Sequence, residues 1–256
     1  MKFNTSQESY NDPKSAQNHL KWLESEDGQF FQDLLYQTFA ERLSKNPEQK
    51  ILDAACGPGW LTAKLSKDYK NTEGLDGSEP FLKIAKAKNP SIKFTLADLN
   101  NSLPYENDSF ETIIFSMAAH DVEDELFTLK ELYRILKPQG KLMISIVNPY
   151  YGHPVGSFEA TFLKKILHLP YNLRLHPYNI IARRDRSFTF NKTVKSYFVK
   201  MSEHLNRARA AGFILEHMKD LESTTDSPKR NMHYRLYRYP TLLYFEFKKP
   251  QNNMKQ

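Results

Sequence analysis

The sequence predicts an α/β fold: an open, mostly parallel sheet with helices on both faces. Three observations carry this expectation. From residue 50 onward, short apolar runs alternate with amphipathic stretches of about ten to fourteen residues, the pattern of repeated βαβ units. Glycine and proline punctuate the alternation at Gly57-Pro58-Gly59, Pro90 and Lys137-Pro138-Gln139-Gly140, where the chain must turn. The 256 residues, 40% hydrophobic and 26% charged, suit one large soluble domain with a sizeable core. Right-handed crossovers between parallel strands then put helices on both faces.

Residues 15–44 place Leu20, Trp22, Leu23, Phe30, Phe31, Leu34, Leu35, Phe39 and Leu43 at helical spacing, and Asp27-Gly28 is expected to divide them into two helices. Residues 50–55 form a short apolar strand and 60–67 a helix. A strand at 72–76 leads into a helix over 78–88, with Ser78 as its N-cap and Pro90 past its exit. Strands follow at 92–96 and, after the turn Glu106-Asn107-Asp108, at 111–117. An amphipathic helix over 123–136 stops at Lys137-Pro138-Gln139-Gly140, and a fifth strand occupies 141–147. Residues 148–200 break the rhythm, being rich in Pro, Tyr, His and Arg, with a helix expected over 158–169. A helix near 202–211, ended by Gly212, precedes strands at 213–218 and 242–248.

One cysteine excludes an internal disulfide framework and a thiolate metal cage, and favours a reducing cytoplasm. No apolar run approaches the roughly 18 residues that span a bilayer, and residues 1–14 lack the apolar stretch of a secretory signal. The formal charge of +6 is unevenly placed. Residues 150–256 hold 19 Lys and Arg against 8 Asp and Glu, a net +11, and the preceding residues hold 17 against 22, a net −5. A basic C-terminal half suits an anionic acceptor, nucleic acid or a membrane surface, and equally a solvated face.

Four stretches carry candidate chemistry. In Ile51-Leu52-Asp53-Ala54-Ala55-Cys56-Gly57-Pro58-Gly59-Trp60 a buried strand runs into a turn of small residues and then a helix. Ligands of open parallel sheets bind beyond the carboxyl ends of the strands. Gly57 and Gly59 let the backbone approach such a ligand, the helix start offers N–H groups, and Asp53 adds a negative charge. A phosphate site competes with this reading. However, no Gly-Lys-Ser/Thr is present, which excludes a P-loop. Thr62 stands where a dinucleotide fingerprint has its third glycine, so no nicotinamide or flavin cofactor is expected. The second stretch, Gly74-Leu75-Asp76-Gly77-Ser78, puts a carboxylate at a strand end about twenty residues on. There it can accept from both ribose hydroxyls, or simply cap a helix. Phe81, one turn on, packs against a flat base or belongs to the core. The third, Leu96-Ala97-Asp98-Leu99, places a carboxylate where an exocyclic amine can donate. The fourth runs from Ser109 through Phe115-Ser116-Met117, with Leu132-Tyr133-Arg134-Ile135-Leu136 further on.

In this order and spacing the four stretches resemble the class I S-adenosylmethionine-dependent methyltransferases, closest to the ubiquinone/menaquinone-biosynthesis and related small-molecule group. The resemblance covers residues 48–148 and weakens beyond. It implies a Rossmann-like seven-stranded sheet of order 3-2-1-4-5-7-6 with the last strand antiparallel. It also implies S-adenosylmethionine as cofactor, leaving as S-adenosylhomocysteine, and no metal. The chain then divides into a helical cap (1–45), a cofactor-binding core (46–148), an acceptor-covering insertion (149–200) and a C-terminal helix with the last two strands (201–249). The resemblance would have Asp53 through Gly59, Ala55 included, wrap the methionine part, and Asp76 hold the ribose. Gly77 and Phe81 would line the adenine slot, and Asp98 would hold the adenine amine beside the Leu99 backbone. Ser116 would sit next to the methionine part, and Thr62 falls where some relatives have a cofactor-proximal threonine. Ala55 departs from the family's usual glycine, which matters only if that residue needs a positive φ. Tyr10 and Trp22 of the cap are expected to close over the cofactor.

Methyl transfer is an in-line displacement whose leaving group is already in place, so positioning supplies most of the acceleration. A base is needed only where the acceptor's proton must leave first. His120 and Asp121, just past the fourth strand, are the candidate catalytic pair, with a polar lead into the next helix as the competing reading. Tyr150, Tyr151 and His153 are candidate substrate-binding residues. Cys56 lies in the cofactor turn, away from where a pyrimidine-methylating nucleophile stands. Asn148-Pro149-Tyr150-Tyr151 follows the fifth strand, not the fourth, and so does not match the motif of amino-nitrogen methyltransferases. The expected function is methyl transfer to a small anionic or aromatic acceptor. One alternative is an RNA methyltransferase using basic residues interleaved with aromatics, such as Arg183, Arg184, Phe188, Arg235 and Tyr237. Another is a non-catalytic cofactor-binding partner subunit.

Overall fold

The computed structural model describes residues 8, 10–150, 156–159, 172–175, 182–186, 194–223 and 241–251. Its strands, in chain order, are β1 (Lys50–Ala54), β2 (Asn71–Asp76), β3 (Phe94–Leu96), β4 (Phe110–Ser116), β5 (Leu136–Val147), β6 (Gly156–Glu159), β7 (Asn172–Leu175), β8 (Ala182–Arg186), β9 (Val194–Phe198), β10 (Ile214–Leu221) and β11 (Leu242–Lys248). The helices are α1 (Pro13–Leu23), α2 (Glu26–Ala40), α3 (Trp60–Leu65), α4 (Glu79–Lys88), α5 (Glu125–Ile135) and α6 (Met201–Ala210).

Seven strands form one sheet in the order β3-β2-β1-β4-β5-β11-β10. Strands β1 to β5 pair in parallel, and β11 runs antiparallel between β5 and β10. This is the expected 3-2-1-4-5-7-6 order. The central strands β1, β4, β5 and β11 are buried along most of their length and correspondingly apolar, whereas the edge strand β10 is exposed at most positions. Alternate residues feed two cores. Leu52, Ile113, Phe115, Leu142, Ile144, Phe245 and Phe247 pack with Leu129 and Leu132 of α5 and Ala208 of α6. Ile51, Ile114, Met143 and Tyr244 pack on the other face with Phe31, Leu35 and Phe39 of α2 and Leu61 and Leu65 of α3.

Some boundaries differ from the sequence expectation, each for a physical reason. The break in the cap comes at Glu24 and Ser25, not Asp27-Gly28, because the Ser25 side chain caps the Gly28 N–H at 3.2 Å. Gly28 lies in the first turn of α2, where a Cβ would stand 2.1 Å from the Trp22 carbonyl oxygen. That glycine permits a close approach of two helices; it does not end one. β3 begins at Phe94, two residues later than the spacing suggests. Lys137 to Gly140 stop α5 as expected, yet they belong to β5 as an irregularity between its pairings Phe110↔Leu136 and Thr112↔Lys141. Phe158 and Glu159, expected in a helix, lie in β6, which pairs antiparallel with β7. Residues 160–169 lie outside the described residues.

The insertion contributes two hairpins, β6–β7 and β8–β9. β5 ends at Val147, which pairs with Leu242, and Leu242 pairs with Leu221 at the end of β10. Residues 148–200 and the connection from β10 to β11 therefore both leave the sheet at the edge where β1, β2 and β4 end. The opposite edge is closed by Lys249, whose Nζ donates to the carbonyls of Tyr133 at 2.9 Å and Leu136 at 2.6 Å and to Asp108 Oδ1 at 2.7 Å.

Candidate active site

The turn after β1 is held in left-handed backbone. Ala55 has φ 61°, Gly57 φ 54° and Gly59 φ 78°, and Gly59 caps α3. Left-handed backbone costs a residue with a Cβ about 1–2 kcal/mol, so the alanine departs from glycine at a position where conformation matters. The glycines do different work. A Cβ on Gly57 would meet nothing within 4 Å, so this residue borders open space. A Cβ on Gly59 would stand 2.9 Å from the Phe94 ring, and one on Gly74 would stand 2.6 Å from that ring and 2.8 Å from Cys56 Sγ. Those two glycines serve packing beneath the turn.

Asp53 and Thr62 shape the turn from behind. Thr62 Oγ1 donates to Asp53 Oδ2 at 2.6 Å, and the two residues are 0% and 1% exposed for Thr62 and Asp53 respectively. Burial pushes the Asp53 carboxyl up to about 7, against the pull of the Thr62 hydroxyl. The bond ties the end of β1 to the first turn of α3.

Asp76, at the end of β2, accepts the Gly57 N–H at 2.7 Å through Oδ2 and the Ser78 N–H at 2.8 Å through Oδ1. A carboxylate has about four lone-pair sites, so some capacity to accept remains. Burial pushes its carboxyl up to about 6, opposed by the N–H groups of Ser78, Gly57 and Gly77. Asp98, just past β3, accepts the Asn100 N–H and side-chain amide through Oδ1, each at 2.9 Å, and the Asn101 amide through Oδ2 at 3.0 Å. Leu99 beside it is buried, with its carbonyl accepting from the Thr128 hydroxyl at 2.9 Å.

Phe81 is 4% exposed and packs against Tyr10 at 5.8 Å and His19 at 5.3 Å between ring centroids. The N-terminal segment thus lies over this end of the edge, while Trp22 packs edge-on against Phe31 at 5.3 Å as part of the cap's own core.

Past β4, the Ser116 and Ser145 hydroxyls share a hydrogen bond at 2.9 Å. Met117 follows in left-handed backbone, φ 57°, with its N–H donating to the Ser145 carbonyl at 2.8 Å. His120 is 6% exposed, and its Nε2 lies 3.6 Å from Asp121 Oδ2. Two distant tyrosines hold this pair. The Tyr10 hydroxyl donates to Asp121 Oδ2 at 3.2 Å. The Tyr197 N–H donates to the His120 carbonyl at 2.6 Å, and its hydroxyl donates to Glu123 at 3.0 Å. Neither contact has a local sequence signal, since Tyr10 and Asp121 are 111 residues apart. Tyr150 follows β5 with its side chain 46% exposed and its N–H on Asn148 Oδ1 at 2.9 Å. Tyr151 and His153 lie outside the described residues. Among the described residues, no helix is long and apolar enough to cross a membrane.

Residues 52–144 match the family model described as a methyltransferase domain. The sheet has the fold of the class I methyltransferases. Among its relatives, the demethylmenaquinone methyltransferase of Streptomyces griseus is 32% identical over 105 residues, 41% of this chain and 45% of that protein. The malonyl-acyl-carrier-protein O-methyltransferase of Erwinia billingiae is 28% identical over 179 residues, 70% of this chain and 69% of that protein. The chain thus spans about half the length of the first of these relatives and more of the second. A solved S-adenosylmethionine-dependent methyltransferase from Mesorhizobium loti has the same fold, with a TM-score of 0.68 at 23% identity over 84% of this chain and 97% of that one. S-adenosylmethionine is the cofactor of this family. The domain fits it in two observed ways: open space beside Gly57, and carboxylates at the ends of successive strands with acceptor capacity left.

Proposed function

We propose that the chain transfers a methyl group from S-adenosylmethionine to a small-molecule acceptor. The observation that carries this is the convergence at one sheet edge of Gly57's open side, the Asp76 and Asp98 carboxylates and the His120–Asp121 pair. In this reading Asp76 accepts from the ribose hydroxyls while keeping the Gly57 turn in place. Asp98, with the Leu99 backbone, takes the adenine amine, and Gly77 and Phe81 flank the ring. Ala55, Gly57 and Gly59 shape the passage for the methionine part, Asp53 and Thr62 brace it, and Ser116 borders it. The bound cofactor supplies a methyl group on a sulfonium, which is its own leaving group.

The chain's part is then to orient the acceptor in line and to remove its proton where it has one to lose. In this reading His120 takes that proton, and the Asp121 carboxylate, 3.6 Å from its Nε2, stabilises the imidazolium that forms. Tyr150, Tyr151 and His153 belong to the acceptor side. The insertion and the β10–β11 connection leave the same edge, and residues 150–256 carry a net +11. That charge supports an anionic acceptor by raising its local concentration. One relative is named for a demethylmenaquinone and another for O-methylation of a malonyl carrier, which supports a small conjugated or acidic acceptor.

The test is calorimetric titration with S-adenosylmethionine and S-adenosylhomocysteine of wild type, Asp76→Ala and Asp76→Asn. It is followed by labelled-methyl transfer to quinols, carboxylic acids and transfer RNA. The expected result is wild-type binding weakened at least about tenfold in Asp76→Ala, the loss of one to two charge-assisted hydrogen bonds, with transfer to a small acceptor. Folded wild type that binds neither compound would sink the reading. Strongly salt-dependent methylation of RNA would replace the small molecule by nucleic acid.

A further inference from the structure

Three of Tyr10's contacts reach both ends of the site. Its carbonyl accepts the Ser78 hydroxyl at 2.7 Å, one residue past Gly77. Its ring lies on Phe81 at 5.8 Å between centroids. Its hydroxyl donates to Asp121 Oδ2 at 3.2 Å. The first two contacts are at the end of β2, where the nucleoside is proposed to sit. The third is past β4, where the acceptor's proton is proposed to leave. Moreover, Asp121 offers the same oxygen to both neighbours: Oδ2 takes the Tyr10 hydroxyl and faces His120 Nε2 at 3.6 Å. From the other side, Tyr197 holds the His120 backbone by its carbonyl.

We propose that Tyr10 is a positioning residue that acts through Asp121, so that the His120–Asp121 pair takes its working geometry only when the N-terminal segment is seated over the nucleoside end. The inference rests on the function proposed above, because it takes the β2 end as the nucleoside site. Its physical content is a rigid connection. In this reading a nucleoside bound at the end of β2 bears on the Tyr10 ring that carries the hydroxyl. The hydroxyl sets the rotamer of the carboxylate, and the carboxylate orients the imidazole. A single phenol spans the distance because its ring is stiff, with two side-chain torsions between backbone and hydroxyl.

The ring and the hydroxyl can be separated experimentally. Tyr10→Phe keeps the ring on Phe81 and removes only the bond to Asp121. Asp121→Asn keeps the shape and changes the acceptor. The probe is S-adenosylhomocysteine, and the readouts are its Kd and the imidazole 1H–13C signal of His120, assigned by its disappearance in His120→Gln. In wild type, saturation with the probe is expected to shift the His120 signal. In Tyr10→Phe the probe should still bind, with Kd within about threefold, because the lost bond is not one to the ligand. The His120 shift should fall to less than half, and Asp121→Asn should reduce it equally, with no further loss in the double variant. Thermal midpoints of all three should stay near wild type, which separates positioning from a fold defect. A Tyr10→Phe protein whose His120 signal responds like wild type overturns the proposal. So does additive loss in the double variant, or wild type that binds the probe without any His120 response. Failure of wild type to bind the probe at all overturns the function reading, and this inference with it.

Discussion

Replacing Asp53 by Asn should remove a pH dependence from the protein's stability. Asp53 is 1% exposed and its carboxyl is pushed up to about 7 by burial, from an ordinary 3.8. Between those values the folded chain keeps a proton that the unfolded chain has released. The unfolded state binds fewer protons there, so stability falls as pH rises, by about 1.4 kcal/mol per pH unit. The contribution is fully present below about pH 4, and about 4 kcal/mol of it is gone by pH 7 and above. Asn cannot ionise and can still accept the Thr62 hydroxyl through its amide oxygen. The assay is urea unfolding of wild type and Asp53→Asn from about pH 5 to pH 8. The variant should gain roughly 2–3 kcal/mol on wild type across that range, about two pH units of it below the folded value of about 7. Parallel profiles would refute the reasoning, showing that the carboxyl ionises in the folded protein as it does in the unfolded one.

The glycines offer a sharper test of which side of the turn faces ligand. Gly57→Ala should lose S-adenosylhomocysteine affinity at least about tenfold while costing about 1 kcal/mol of stability for its positive φ. Gly74→Ala should cost about 2–3 kcal/mol through its contacts with Phe94 and Cys56. Calorimetry and urea titration read the two effects, and equal stability losses would refute the assignment of Gly57 to the open side. Ala55→Gly should leave the fold intact and stabilise it by up to about 1 kcal/mol, as relief of left-handed strain outweighs the added freedom of the unfolded chain. A net loss above that size would show that the methyl group packs usefully. Lys249→Met should destabilise by about 2–3 kcal/mol and lower the Tm by roughly 4–12 °C, since it leaves the carbonyls of Leu136 and Tyr133 without their donor, the first of them buried. A midpoint within about 2 °C of wild type would contradict the burial argument.

Much of the site was legible because its residues sit at strand ends. Asp53, Asp76, Asp98 and Ser116 each close an apolar run, and a run's end is a local property of the sequence. What they do was less legible. Asp53 and Thr62 flank the turn after β1, where they bond to each other and brace it from behind. Phe81 carries either a core or a slot reading in the sequence; the structure buries it under Tyr10 and His19. Gly28 looked like a helix breaker because glycine usually is one. Only the position of the Trp22 carbonyl shows that it is there to make room.

By itself the sequence determined the alternation of strand and helix, the sheet's class, the small-residue turn after β1 and the ordered carboxylates. These follow from periodicity and turn chemistry, which act over a few residues. The tertiary structure alone decided three things: the sign of φ at Ala55 and Met117, which of the turn glycines faces open space, and that Tyr10 and Tyr197 close on His120 and Asp121 from opposite ends of the chain. The reason is that a dihedral at a strand end is set by what the strand's neighbours require. A hydrogen bond across 111 residues exists only once both ends have been placed by packing that no local pattern encodes.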